Sequence, residues 1–106
     1  MQSVTFQLFE KWRAGKGYTS ANAGCVALGV ERACATHWKG GRNAEANVIE
    51  RMARDLGEDP AAWILAAAAE KTIKADEQRT LLRLAKSLGY AAALFMFIGS
   101  GQLPIM

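Results

Sequence analysis

The sequence predicts an all-α fold, and three observations favour that class. Proline is scarce, since the chain of 106 residues contains only Pro60 and Pro104, whereas alanine is abundant. Runs of valine, isoleucine and threonine are absent, and no stretch alternates apolar with polar residues for long. A chain of this length is expected to form one domain with a modest core and, at most, an appendage.

Signals for helix starts and stops divide the first 70 residues into five predicted helices. Three of them cover residues 4–14, about 31–39, and 46–56. The other two are identified by their starts: one is capped by Thr19 or Ser20, and one has Asp59 as its N-cap and Pro60 at its first position. Glycines at 15, 17, 40, 41 and 57 supply stops. The residues expected to be buried are Val4, Phe6, Leu8, Phe9, Trp12, Cys25, Val26, Leu28, Val48, Ile49, Met52, Ala53, Leu56, Trp63, Ile64 and Ala67.

The most informative segment is 20–42, in which two short predicted helices meet at Gly29. Glycine reaches a positive φ without strain, so Gly29 suits a sharp turn. Cys25 and Ala35 are small enough to let the two helices cross closely, and Trp38 is a bulky anchor for the second helix. This pattern is typical of a helix-turn-helix, which presents its second helix to the major groove of DNA. The alternative is a plain helical hairpin inside an all-α core.

Charge is unevenly distributed along the chain, which carries 13 basic and 10 acidic residues. Six basic residues and one acid lie between positions 11 and 42, whereas seven basic and eight acidic residues lie between 43 and 86. Positive charge therefore gathers around the predicted helix-turn-helix, as a phosphate-binding face requires. Chance clustering on a solvated surface is the alternative.

The composition gives little support to catalysis or metal binding. One histidine and two cysteines lack the spacing of a zinc site, and neither a Ser/His/Asp set nor a phosphate-binding loop is present in the sequence. We therefore expect no enzyme activity, no metal or other cofactor, and no small-molecule substrate. Cys25 and Cys34 fall at apolar positions and are expected to be reduced core residues of a cytoplasmic protein. Residues 1–10 lack the pattern of a secretory signal.

Four motifs occur in order: Leu-Gly-Val at 28–30, Trp-Lys-Gly-Gly-Arg at 38–42, Ile-Glu-Arg-Met-Ala-Arg-Asp-Leu-Gly at 49–57, and Asp-Pro-Ala-Ala at 59–62. With these motifs, residues 4–69 resemble the Cro/CI-type (Xre-like) helix-turn-helix regulators, especially small phage-encoded Cro-like proteins with an apolar C-terminal tail. The resemblance implies a five-helix domain over residues 1–70 that binds double-stranded DNA as a transcriptional regulator. It also implies a homodimer on a two-fold operator.

The resemblance makes the third predicted helix, about 31–39, the recognition helix. The residues it implies as base-reading candidates are Glu31, Arg32, Ala33, Thr36 and His37. The phosphate-binding candidates are Lys11, Lys16, Asn22, Lys39 and Arg42. Family members usually carry a polar residue, often Gln, where this chain has Ala21. The base-reading candidates also include fewer polar residues than is usual for a recognition helix of the family. The alternative function is therefore a membrane-tethered interaction protein on a Cro-like scaffold that has lost sequence-specific DNA reading.

Residues 71–106 form a second predicted unit, in which a charged amphipathic helix at 74–86 precedes a segment, 87–106, without any charged residue. One interpretation is that residues 87–106 associate with the inner membrane and anchor the protein there. The preceding cations would then keep the N-terminal domain in the cytoplasm. The other is an oligomerising helix, because apolar residues follow each other at intervals of 3, 4, 3, 4 and 3. The residues of that seam are Leu81, Leu84, Leu88, Ala91, Phe95 and Ile98.

Overall fold

The computed structural model describes residues 2–89, which form six α-helices and, within that range, no β-strand. In chain order the helices are α1 (Val4–Lys16), α2 (Ala21–Leu28), α3 (Ala33–Lys39), α4 (Ala46–Asp55), α5 (Pro60–Lys71) and α6 (Ala75–Ser87). The all-α prediction is confirmed. The predicted apolar tail, including Ala91, Phe95 and Ile98, lies outside the described residues.

Two of the predicted helix starts are confirmed by side-chain caps. The Ser20 hydroxyl accepts a hydrogen bond from the backbone N–H of Ala23 at 3.1 Å, and α2 begins directly after it. The Asp59 carboxylate accepts from the N–H of Ala61 at 2.9 Å, and Pro60 is the first residue of α5. Each side chain satisfies a backbone donor that has no partner within its own helix.

The predicted start of the third helix is early by two residues, since α3 begins at Ala33 and not near Glu31. Its N-cap, Arg32, makes no side-chain capping hydrogen bond. Residues 29–32 are needed to reverse the chain after α2, so they are not available to extend α3. The first helix is longer than predicted, because it continues through Gly15 to Lys16 and stops only at Gly17.

The core lies where α1, α4 and α5 pack together, with α3 against α1 and α2 against α3. Trp12, Trp38 and Trp63 are all buried, as predicted. The ring of Phe9 joins two of them, because its centroid lies 6.2 Å from that of Trp12 and 5.4 Å from that of Trp38. The contact between Phe9 and Trp38 is edge-to-face, with 68° between the ring planes, which is a favoured geometry for an aromatic pair.

The prediction that Val26 faces the core is wrong, because 65% of this residue is exposed. The buried side of α2 consists of Gly24, Cys25 and Leu28, and Val26 lies about 100° around the helix from Cys25. Four further residues expected in the core are only half-buried at its margin: Phe6, Val48, Leu56 and Ile64.

The last described helix, α6, packs against α5 and buries Ala85 completely. Within the predicted apolar seam, Leu81 is half-buried, whereas Leu84 and Leu88 are 42% and 41% exposed. None of the helices between residues 2 and 89 has the length and apolar character needed to cross a bilayer.

Candidate functional site

The turn between α2 and α3 has the geometry that the sequence predicts. Gly29 has a φ of 77°, in the left-handed region that favours glycine. The N–H of Val30 then donates to the carbonyl of Cys25 at 3.0 Å, which closes the end of α2. The thiol of Cys25 lies 3.9 Å from the carbonyl oxygen of Arg32, so the same buried side chain also contacts the far side of the turn.

A tight contact between α1 and α2 occurs at Gly24, whereas the sequence pattern points to Cys25 and Ala35 as the small residues of a close helix crossing. A Cβ atom at Gly24 would lie 2.9 Å from the Cζ atom of Phe9, which is fully buried. Glycine is normally unfavourable inside a helix. Here its missing side chain makes room for the ring that packs against Trp38, and so it sets the position of α2 and α3 against α1.

A residue of α4, Arg51, attaches the turn to the rest of the domain. Its guanidinium donates to the carbonyl oxygens of Leu28 at 3.3 Å and Ala27 at 3.2 Å. A cation at the C-terminal end of a helix satisfies unpaired carbonyls and interacts favourably with the helix dipole. The sequence offers no signal for this role, because Arg51 looks like any exposed basic residue of an amphipathic helix.

The C-terminal end of α3 is held by α1 and α5. The carbonyl of Trp38 accepts from the N–H of Ser3 at 3.1 Å. Just beyond α3, the side-chain oxygen of Asn43 accepts from the N–H of Thr5 at 2.9 Å and from its hydroxyl at 2.7 Å. The amide nitrogen of Asn43 donates to the carboxylate of Glu70 at 2.7 Å. Contacts at both ends therefore fix which side of α3 faces the solvent.

The base-reading candidates share that solvent-facing side, which we call the outer face of α3. It consists of Glu31, Arg32, Ala33, Thr36 and His37, all of which are exposed. Ala35 and Trp38, which alternate with them, are buried in the core. Ala33, Thr36 and His37 share one side of α3, because they are spaced by three and four positions, and the exposed residues Glu31 and Arg32 directly precede the helix.

Cations without carboxylate partners adjoin the outer face of α3. Lys39 and Arg42 are exposed at and just beyond the end of this helix. Within residues 2–89, neither they nor Arg32 forms an ion pair. Asn22, another phosphate-binding candidate, is exposed in the first turn of α2.

The two phosphate-binding candidates on α1 lie in a different environment. The ammonium group of Lys11 is paired with the carboxylate of Glu58, and that of Lys16 lies 3.6 Å from the carboxylate of Asp55. Asp55 also accepts a hydrogen bond from the indole N–H of Trp12 at 2.9 Å. This hydrogen bond, and then the charge of Lys16, hold the pKa of the Asp55 carboxyl below its usual value. Both lysines are therefore engaged by carboxylates of the domain itself.

A shallow groove runs between the outer face of α3 and the start of α4. His37 and Arg42 contribute to its wall, and so do the acidic residues Glu31 and Glu45. This edge of the outer face therefore mixes both signs of charge. On this side of the domain, Arg32 and Lys39 are exposed cations that do not line the groove.

The described residues also include potential metal ligands and two cysteine thiols. Between residues 2 and 89, no three histidine, cysteine, aspartate or glutamate side chains come close enough to hold a metal ion. Cys25 and Cys34 are both free thiols. Burial raises the pKa of the Cys25 thiol, which favours the protonated form.

Comparison with known proteins finds no match to any family model, curated protein or solved structure.

Proposed function

We propose that this protein binds double-stranded DNA through a Cro/CI-like helix-turn-helix, with α3 as the recognition helix, and acts as a transcriptional regulator of phage or prophage type. One observation carries the proposal. The inner side of α3 is fixed to the domain by Trp38 and by the bonds around Asn43, while Arg32 and Lys39 stand exposed without a carboxylate partner in residues 2–89.

The side chains of the outer face of α3 match the chemistry of base edges in the major groove. Arg32 can donate two hydrogen bonds to guanine, and Glu31 can accept from the amino group of cytosine. Thr36 and His37 can bond to a base edge or a phosphate, and Ala33 offers a methyl contact to thymine. This is a short reading surface, so we expect its sequence preference to depend heavily on Arg32.

The phosphate contacts are proposed to come from the end of α3 and from the start of α2. Lys39 and Arg42 supply positive charge, and Asn22 supplies a side-chain amide donor. Because Lys11 and Lys16 are engaged by carboxylates, they are left out of this proposed set.

A homodimer is proposed as the DNA-binding form, since two copies of α3 about 34 Å apart would reach successive turns of one groove. Leu84 and Leu88 provide an exposed apolar pair on α6 for such a contact.

The test compares Arg32→Gln with the matched control Arg54→Gln in the full chain. Arg54 is also an exposed arginine, on α4, in an ion pair with Glu50 whose side chains are 68% and 45% exposed. A preferred duplex is first selected from a random library with the natural protein. We expect Arg32→Gln to weaken binding to that duplex by about tenfold or more, and binding to unrelated duplexes by no more than about threefold. Arg54→Gln should change neither affinity.

Three outcomes would contradict parts of this proposal. Affinity that does not fall as salt rises would exclude electrostatic binding to duplex DNA. An equal loss on both duplexes would make Arg32 a phosphate contact and remove base reading. An equal effect of Arg32→Gln and Arg54→Gln would show that only total charge matters.

A second candidate function is favoured by the acidic residues Glu31 and Glu45 beside His37. Carboxylates repel phosphates, so this edge suits a protein that keeps the helical scaffold but no longer reads DNA sequence. In this second hypothesis the protein is tethered to a membrane through residues 87–106. Failure to select any duplex, together with a carbonate-resistant membrane pool on cell fractionation, would support it over the regulator.

A further inference from the structure

The C-terminal part of the chain carries all of its excess positive charge. Residues 1–77 contain ten basic and ten acidic residues, so they are formally neutral. Residues 78–106 contain three basic residues, Arg79, Arg83 and Lys86, and no acid, which accounts for the formal net charge of +3. The local excess of cations around the helix-turn-helix is therefore balanced by acids elsewhere in residues 1–77, whereas the excess in residues 78–106 is balanced by no acid within that segment.

The three cations lie on one face of α6, because residues spaced by four and three positions are neighbours on a helix surface. We call this surface the basic face of α6. All three residues are exposed. The opposite side of the helix is fixed to α5, since Ala85 is fully buried and the side-chain amide of Gln78 donates to the carbonyl of Ala69 at 3.1 Å.

Few acidic groups oppose the basic face. Arg79 pairs with Asp76, but their side chains are 73% and 92% exposed, and such exposed pairs contribute little to stability. Arg83 and Lys86 have no carboxylate partner within residues 2–89. A partner with negative charge can therefore approach this face without first breaking a strong ion pair.

The sequence that follows the basic face is suited to an apolar environment. Residues 87–106 contain no charged side chain, and residues 94–98 read Leu-Phe-Met-Phe-Ile. A group of cations next to an apolar segment is the combination that attaches proteins to the cytoplasmic surface of anionic membranes. Nucleic acid would satisfy the cations but offers no apolar phase to the neighbouring segment.

We propose that the basic face of α6 docks on the surface of an anionic phospholipid bilayer. The cations attract the lipid headgroups, and their contribution falls off within about 8 Å at physiological salt. This docking does not depend on DNA binding, because it uses none of the residues of the outer face of α3.

The test measures co-sedimentation of the full chain with vesicles of phosphatidylcholine alone and with vesicles containing 30% phosphatidylglycerol. We expect the natural protein to prefer the anionic vesicles and to lose that preference as salt rises. The double variant Arg83→Gln/Lys86→Gln should bind anionic vesicles about 20-fold more weakly, at roughly fivefold per cation. The control Lys71→Gln/Lys74→Gln removes the same charge from exposed lysines at the end of α5 and just before α6, and it should keep the natural affinity.

Several results would overturn the proposal. One is equal binding of the natural protein to both kinds of vesicle. Another is an equal loss for the two double variants, which would show an effect of total charge alone. If Arg83→Gln/Lys86→Gln lost affinity for a duplex of 20 base pairs and kept its affinity for vesicles, the basic face would serve nucleic acid and not a membrane. Circular dichroism of both variants confirms that the helices are retained.

Discussion

Lys16 and Lys39 both end a helix, and the structure gives them different environments. Lys16, at the end of α1, lies beside Asp55 of α4, whereas Lys39, at the end of α3, has no carboxylate partner within residues 2–89. The sequence environment of the two lysines is similar, since each precedes a glycine. A count of charges along the chain therefore cannot separate a cation that holds helices together from one that is available to a ligand.

The same contrast extends to two regions of the molecule. In the contact between α1 and the end of α4, which we call the α1–α4 seam, Lys11 and Lys16 meet Glu58 and Asp55. The outer face of α3 has no such internal pairing. We therefore expect loss of the Asp55 carboxylate in the seam to change the stability of the fold, and substitutions on the outer face of α3 to change binding.

The largest expected loss of stability comes from disturbing the packing of α2 against α1, which supports the outer face of α3. Gly24→Ala would bring a methyl group to 2.9 Å from the buried ring of Phe9, so the ring or α2 must move. We expect the free energy of unfolding to fall by about 2 kcal/mol. Urea denaturation followed by tryptophan fluorescence measures this loss.

Gly15→Ala is the matched control for that substitution. Gly15 also lies inside a helix, but a Cβ there would meet only the Leu56 side chain, at 3.4 Å. Alanine should be neutral at this site or stabilise α1 by up to about 1 kcal/mol. If both variants were equally stable, the close approach at Gly24 would not determine the packing of α2.

The next effect concerns the α1–α4 seam. Asp55→Ala removes the acceptor of the Trp12 indole N–H and the partner of Lys16. We expect a loss of about 1.5 kcal/mol in the free energy of unfolding, because a largely buried donor is left without its hydrogen bond. Asp76→Ala breaks a highly exposed pair with Arg79 and removes one of two carboxylates in the first turn of α6, so it should cost less, about 0.5 kcal/mol.

The difference between the natural protein and Asp55→Ala should also depend on pH. The folded state lowers the pKa of the Asp55 carboxyl, so the ionised form is favoured by folding. Its stabilising contribution is present above the unfolded-state pKa, about 3.9, and is lost as the pH falls through the lower folded-state pKa. The stability difference should therefore shrink as the solution is acidified below about pH 4. A difference that stays constant down to pH 2 would argue against this role for the Asp55 charge.

The smallest effect on stability is expected from the two lysines themselves. Lys16→Gln and Lys39→Gln should each change the free energy of unfolding by less than about 0.5 kcal/mol, since both side chains are exposed. In a salt titration of duplex binding, Lys39→Gln should reduce the slope of log affinity against log salt by about one. Lys16→Gln should leave the slope unchanged, and an equal reduction by both would erase the proposed contrast between the two regions.

Much of the fold follows from local signals that act within a few residues. Ser20 and Asp59 cap helices by bonding to N–H groups two or three positions later, and Gly29 turns the chain because only glycine enters the left-handed region freely. Trp38 is buried as its helical periodicity predicts. The exposed positions of Arg32 and His37 follow from the same periodicity, although their role in binding remains a proposal.

Other features could not be predicted, because they depend on which helices meet. The sequence predicts Val26 in the core, but α2 packs its Gly24 side against Phe9 and leaves Val26 in solvent. Arg51 and Asn43 hold the turn and the end of α3 through partners 23 to 38 residues away along the chain. A pattern of three or four residues contains no information about such partners.

The amino-acid sequence by itself determined the helical class, most of the helix ends, the turn at Gly29 and the concentration of positive charge after residue 77. Only the tertiary structure decided which cations are paired, that Gly24 admits the ring of Phe9, and which side of α3 stays in solvent. The reason is that capping, periodicity and φ preferences are interactions over one or two turns of helix. The pairing of Lys16 with Asp55 requires two helices to be packed before either side chain has a partner.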